Sequence, residues 1–224
     1  MSDEWYRGPA WDEDARALFE KKIARARNQK PFYLWVKAEA IAPQHPKDAE
    51  NLFERSLAAD EEGFETGRAL AARARARAAR GDLDGIIEDL GEAARVEREE
   101  IKGLDTGARW DFAALVGMQR RRDKYDEALK AVGWPVSNLS FAGQIALAFI
   151  HHDRGNRIRA RRAAKNALER ATMKSEVAPG VPLPPVPPFP NPIYDRLLVI
   201  AGLWDEKELG PAPPVWPEDL PAEG

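Results

Sequence analysis

Apolar residues recur at helical spacing from residue 12 to residue 175, and only proline and glycine interrupt them. Good helix formers (Ala, Leu, Arg and Glu) fill the intervals. β-Branched alternation is nearly absent, which leaves strands little to form on. Asp12 is placed to cap a first helix running to about Asn28, with Leu18, Phe19, Ile23 and Ala26 at helical spacing. Pro31 suits the first turn of a second helix, and Pro46 opens a third. Further helices are expected over 64–80, 83–102, 106–121 and 125–132. Asn138 or Ser140 caps the next, which ends near Gly155, and 157–172 and 193–203 follow. Helices joined by turns this short fold back as antiparallel hairpins, so the expected class is all-α.

The pattern over 64–80 demands neighbours on both sides. At 100° per residue, Phe64, Leu70, Ala71, Ala74 and Ala78 fill one apolar arc, and Ala72, Ala76 and Ala79 fill a second. Arg73, Arg77 and Arg80 form one charged seam between the arcs, and Arg68 with Arg75 the other. A helix gripped on two faces belongs in a stack of hairpins that share one continuous core.

Self-similarity supports such a stack. Gly81-Asp-Leu-Asp-Gly-Ile-Ile87 matches Asp123-Lys-Tyr-Asp-Glu-Ala-Leu129 and Gly155-Asn-Arg-Ile-Arg-Ala-Arg161, and His45-Pro-Lys-Asp-Ala-Glu50 matches more weakly. These segments resemble the inter-helix turn and second helix of tetratricopeptide repeats over roughly residues 30–172. The family's small packing position falls on Ala49, Ile86, Ala128 and Ala160, at spacings of 37, 42 and 32 residues. Its later apolar position falls on Phe53, Leu90, Val132 and Ala164, and its last small position on Ser56, Ala93, Pro135 and Ala167. Pro135 truncates the second helix of the third unit. The Glu4-Trp5-Tyr6-Arg7 and Trp11-Asp12 segments are also similar to uncharacterised bacterial proteins built on such repeats. The resemblance implies a short right-handed α-solenoid over residues 1–175. Residues 176–224 would then supply a Pro-rich strap, a last capping helix and an acidic tail packed on the same domain. The belt 179–192 also has PxxP spacing, so a ligand role for it stays open beside the strap.

Charge and motifs narrow the function. Residues 1–115 carry a net −5, 116–175 a net +8 and 176–224 a net −6. The basic middle attracts either an anionic partner or the chain's own acidic ends. The acidic start, with no apolar stretch behind it, gives no signal-peptide pattern, and no apolar run approaches the ~20 residues of a membrane helix. With no cysteine there is neither disulfide nor thiolate site, and a cytoplasmic address is expected. Phosphate-cradling, dinucleotide, zinc-protease and nucleophile-elbow motifs are all missing. His151-His152-Asp153 reads as a polar helix end, because adjacent histidines on a helix point about 100° apart. Glu97, Glu99, Glu100 and Asp105 read as an exposed face. The chain is therefore expected to be no enzyme and to hold no metal or cofactor.

Arginines and aromatics remain as the function-bearing residues. In the repeat family the first helices line a concave groove, and the resemblance places Arg68, Arg75, Trp110, Arg120, Arg121, Ile145, Phe149 and His152 there. Guanidinium forks bind carboxylates bidentately, and aromatics anchor interfaces. The same arginines also serve as solvated seams in the competing account. The expected function is an adaptor or scaffold that binds a protein or peptide partner, with an acidic segment favoured and a homodimer open to it. The alternative is an immunity protein, antitoxin or defence accessory that masks a bacterial toxin. Nucleic-acid binding through 116–175 comes third, set back by the overall negative charge.

Overall fold

The computed structural model describes residues 5–99, 106–133, 140–172 and 192–203. Among the described residues every regular element is helical. The α-helices are α1 (Glu13–Ile23), α2 (Lys30–Ile41), α3 (Pro46–Ala59), α4 (Thr66–Ala78), α5 (Leu83–Glu99), α6 (Ala108–Met118), α7 (Tyr125–Val132), α8 (Phe141–Asp153), α9 (Arg157–Thr172) and α10 (Pro192–Ala201). A 3-10 turn at Arg122–Lys124 precedes α7. None of these helices is long and apolar enough to cross a membrane. The chain divides into two units, Met1–Arg109 and Trp110–Gly224. The expected domain boundary at 175, the Pro-rich strap over 179–191 and Pro135 lie outside the described residues.

Local chemistry sets the helix ends. Asp12 accepts from the Ala15 N–H at 2.8 Å, and Ser140 from the Gly143 N–H at 3.1 Å, so each caps its helix as expected. Prolines stand in the first turns of α2 and α3, where no N–H is needed. The first helix is shorter than its sequence pattern predicts. It stops at Ile23, and the Arg25 and Ala26 N–H groups turn back to Lys22 and Ile23 in three-residue steps that lead the chain to Pro31.

In the first unit α2 packs on α3 and α4 on α5, while α4 also meets α2 and α3. Phe19, Leu34, Ala38, Ile41, Leu52, Phe53 and Ala72 share one core. The two-faced character of α4 is present: Ala72 joins that core and Ala76 packs on its edge, while Ala69, Leu70 and Ala74 are also buried. Its expected ends are corrected, since Phe64 lies outside the helix and is exposed, and Ala79 is exposed too. The Arg73–Arg77–Arg80 seam closes onto carboxylates of its neighbours. Asp89 of α5 takes Arg73 and Arg77, and Glu50 of α3 takes Arg77 and Arg80. Glu97 also departs from the expected exposed face. It is buried and accepts the Thr106 N–H at 3.0 Å and the Thr106 hydroxyl, which fixes the chain just ahead of α6.

In the second unit α8 packs on α9, α9 on α10, and α7 on α8. Helices α6 and α8 approach closely at Gly117, where an added Cβ would lie 3.3 Å from the Ala146 carbonyl oxygen and from the Phe149 Cβ. Every described residue at the repeat positions is buried: Ala49, Ile86, Ala128 and Ala160, then Phe53, Leu90, Val132 and Ala164, then Ser56, Ala93 and Ala167.

One turn occurs four times among the described residues, the last after α10, where Gly202 (φ 72°) N–H reaches Val199 and Leu203 N–H reaches Leu198. After α4, Gly81 has φ 70°, its N–H reaches the Ala78 carbonyl, and Asp82 N–H reaches back to Arg77. After α8, Gly155 (φ 73°) and Asn156 make the same pair of bonds to His152 and His151. After α6 the bonds run from Arg120 to Gly117 and from Arg121 to Val116, with Arg120 itself at φ 52°. This is the helix end that closes through a left-handed residue, and at Arg120 the residue carries a side chain. The turns at Gly81, Arg120 and Gly155 are 39 and 35 residues apart. The 3-10 turn then inserts three residues before α7, and this accounts for the uneven spacings of 42 and 32 between the small packing positions.

These turns make a paired prediction. A left-handed L-residue costs about 1–2 kcal/mol, partly offset by the greater unfolded-state freedom of glycine. Arg120→Gly is expected to stabilise the protein by up to about 1 kcal/mol. Gly155→Ala is expected to destabilise it by about 1 kcal/mol through backbone strain alone, since an added Cβ at Gly155 meets nothing within 4 Å. Urea denaturation of both variants checks the opposite signs.

Candidate interaction surface

The arginines expected on the first unit are engaged by the chain itself. Arg75 of α4 holds Glu39 of α2 with two bonds at 2.9 and 2.7 Å, and Arg68 holds Glu65 at 3.1 Å. Both lie at the surface, where such pairs contribute little and rearrange readily.

On the second unit the expected residues separate into three environments. Ile145 is buried at 5% exposure, so its side chain belongs to the packing of the unit and offers no surface. Trp110 is half-buried in the first turn of α6, ten residues (about 15 Å along a helical path) from Arg120. Arg120 and Arg121 follow the end of α6, and Phe149 and His152 lie in the last turns of α8. The close approach at Gly117 puts Phe149 beside the last turn of α6, three residues before Arg120, and His152 follows Phe149 by a turn of α8. Arg120 is exposed, Arg121 lies 3.5 Å from Asp123, and Phe149 and His152 are half-buried.

A lock missed at the sequence level holds this end together. Asp153, at the last position of α8, accepts from Arg122 at 2.7 and 2.9 Å and from the Tyr125 hydroxyl at 3.1 Å. The Arg122 hydrogen bonds hold the Asp153 carboxyl below its ordinary range, against the opposing effect of burial. Burial, with Asp153 behind it, pushes the Tyr125 phenol up to about 12. The turn that carries Arg120 and Arg121 is thereby tied to the end of α8. Nothing in a single sequence marks Asp153 as the partner of Arg122, 31 residues away. Burial lowers His151, helped by the positive charges of Arg159 and Arg154, so its ring is neutral at neutral pH. Among the described residues no three histidine or carboxylate side chains converge as metal ligands.

The Asp153 lock ties the turn that carries the Arg120 and Arg121 guanidinium groups to the end of α8 that carries the Phe149 ring and the His152 imidazole. Such a set suits recognition of a carboxylate beside an apolar side chain. No known protein family, curated protein or solved structure matches the chain.

Proposed function

We propose that this all-α protein is a non-enzymatic interaction module, a short solenoid of tetratricopeptide-like helical hairpins that binds a protein or peptide partner. The spacing of 39 and 35 residues between matching turns at Gly81, Arg120 and Gly155 carries the reading. Repeats of this kind shelter their apolar faces against one another and leave an extended surface for recognition. Burial of the described small and apolar repeat positions supports the same register. In this reading the end of the α6–α8 pair engages an acidic segment, with Arg120 and Arg121 taking carboxylates and Phe149 receiving a neighbouring apolar side chain.

Affinity capture with the full chain, followed by mass spectrometry, supplies the partner for the test. Arg120→Glu with Arg121→Glu is expected to weaken that partner by at least about tenfold, or 1.4 kcal/mol, in a calorimetric titration. Unchanged affinity in a double variant with a wild-type far-UV spectrum refutes the assignment of this surface.

A further inference from the structure

The geometry points to a second contact surface, on the first unit, that receives the start of α9 from another copy of this chain. The receiving side is a cleft of about 530 Å³ between the segment entering α2 and the α3–α4 loop. Pro31, Phe32, Ala59 and Phe64 give it apolar surface, Glu61 and Glu62 give it carboxylates, and Arg27 is the single cation in its lining. Internal bonds hold it in shape. Asp60 accepts from the Glu65 N–H and the Thr66 hydroxyl, both at 2.8 Å, and Glu65 accepts from the Trp35 indole N–H at 2.9 Å. Asp60 and Glu65 are therefore spent on the loop. Glu61 and Glu62 have no cationic partner among the described residues, and Phe64 beside them is 60% exposed.

The entering side has the opposite charge and the same apolar character. Ile158, the second residue of α9, is 85% exposed. The side-chain oxygen of Asn156 accepts the Arg159 N–H at 3.3 Å and fixes the helix start. Arg157, Arg159 and Arg162 surround it, all exposed and without a carboxylate partner among the described residues. Other arginines of the chain are tied to its own acids, such as Arg55 to Glu20 and Arg122 to Asp153. A branched aliphatic side chain ringed by three guanidinium groups matches an apolar cleft edged by two carboxylates, none of the five paired among the described residues. Both halves occur once per chain, so a second copy is the occupant that the charges select. Such a contact is heterologous: it closes as a ring or grows as an open assembly. It is separate from the α6–α8 surface, and neither stands on the other.

The contact is smaller than a standard protein interface, so sedimentation velocity is run from about 10 to about 500 µM at low salt. The wild-type mass average is expected to rise with concentration, and to fall back by at least several-fold in association constant when salt goes from about 50 to about 500 mM. Phe64→Asp and Ile158→Asp are each expected to remain monomeric, with wild-type far-UV spectra because both side chains are exposed. Mixed together, the two variants are expected to pair one to one and go no further, since only one live cleft meets one live Ile158. If either variant proves misfolded, the corresponding serine substitution replaces it. A wild-type chain that stays monomeric overturns the proposal, whatever else covers the cleft. So does self-association that survives Ile158→Asp, or a mixture of the two variants that stays monomeric.

Discussion

Asp89→Ala is expected to lower the unfolding free energy by about 3–5 kcal/mol, a large part of the 5–15 kcal/mol typical of a folded domain. Asp89 sits in α5 at 2% exposure and accepts from Arg73 at 3.0 and 2.6 Å, with Arg77 at 3.1 Å. Burial pushes the Asp89 carboxyl up from its ordinary range, against the pull of Arg73 and Arg77. Burial also acts to raise Glu50, but Arg80 and Arg77 overcome it and hold that carboxyl low. Glu50 therefore cannot stand in for Asp89, because it is already shared among Arg77, Arg80 and, at 3.9 Å, Arg73. Removing Asp89 leaves the largely buried Arg73 and Arg77 guanidinium groups competing for Glu50, with Asp82 3.7 Å from Arg77 as the other carboxylate within reach. The control is Glu39→Ala, which breaks the Arg75 pair, 60% and 40% exposed, and is expected to change stability by no more than about 1 kcal/mol. Urea denaturation of both variants decides between a structural seam and a surface ornament. Equal, small effects would mean that the arginine stripe of α4 does not hold the first unit together.

The same stripe shows how far the sequence can be read. Periodicity placed Arg73, Arg77 and Arg80 in one seam and marked α4 as a helix held on two faces, because spacing alone fixes direction around a helix. Which acids would meet that seam depends on how α3 and α5 pack, and no local pattern carries that. Glu97 was misread for the same reason: its charge suggested solvent, and only the return of the chain to Thr106 gives it a buried partner. The third turn was misregistered by three residues because it lacks a glycine. Arg120 takes the left-handed position, so the sequence match starts at Asp123, after the turn, and the 3-10 insertion passes unseen. Helix starts were more legible, since Asp12, Pro31, Pro46 and Ser140 act on backbone groups within three residues of themselves. Of the candidate surface, the sequence supplied Arg120, Arg121, Phe149 and His152, but it also named Ile145, which packing encloses. Helical spacing cannot say which apolar face a neighbour will cover.

Lys37→Ala is expected to cost about 3 kcal/mol and to release the segment that precedes α1. Lys37, in α2, is 2% exposed, and its ammonium donates to the carbonyls of Gly8 and Ala10 at 2.8 and 2.9 Å. It also lies 5.4 Å from the Trp11 ring and 5.9 Å from that of Phe19. Desolvation alone lowers its pKa, since no carboxylate bonds to it among the described residues. A buried cation in that state is tolerated only while the carbonyls and ring faces replace its water. Those carbonyls in turn hold Gly8 and Ala10, and so position Trp5 and Tyr6, whose rings lie 5.1 and 4.7 Å from Tyr33. Alanine removes the donor, strands two carbonyls and opens a void beside Trp11 and Phe19. Lys37→Met keeps most of the volume and lacks the donor, so it isolates the hydrogen bonds and is expected to cost about 2 kcal/mol. In both variants amide exchange over residues 5–12 is expected to accelerate while that of α3 stays slow. Lys37→Met with wild-type stability and unchanged exchange would show that packing of Trp5, Tyr6 and Trp11 holds the segment without the ammonium.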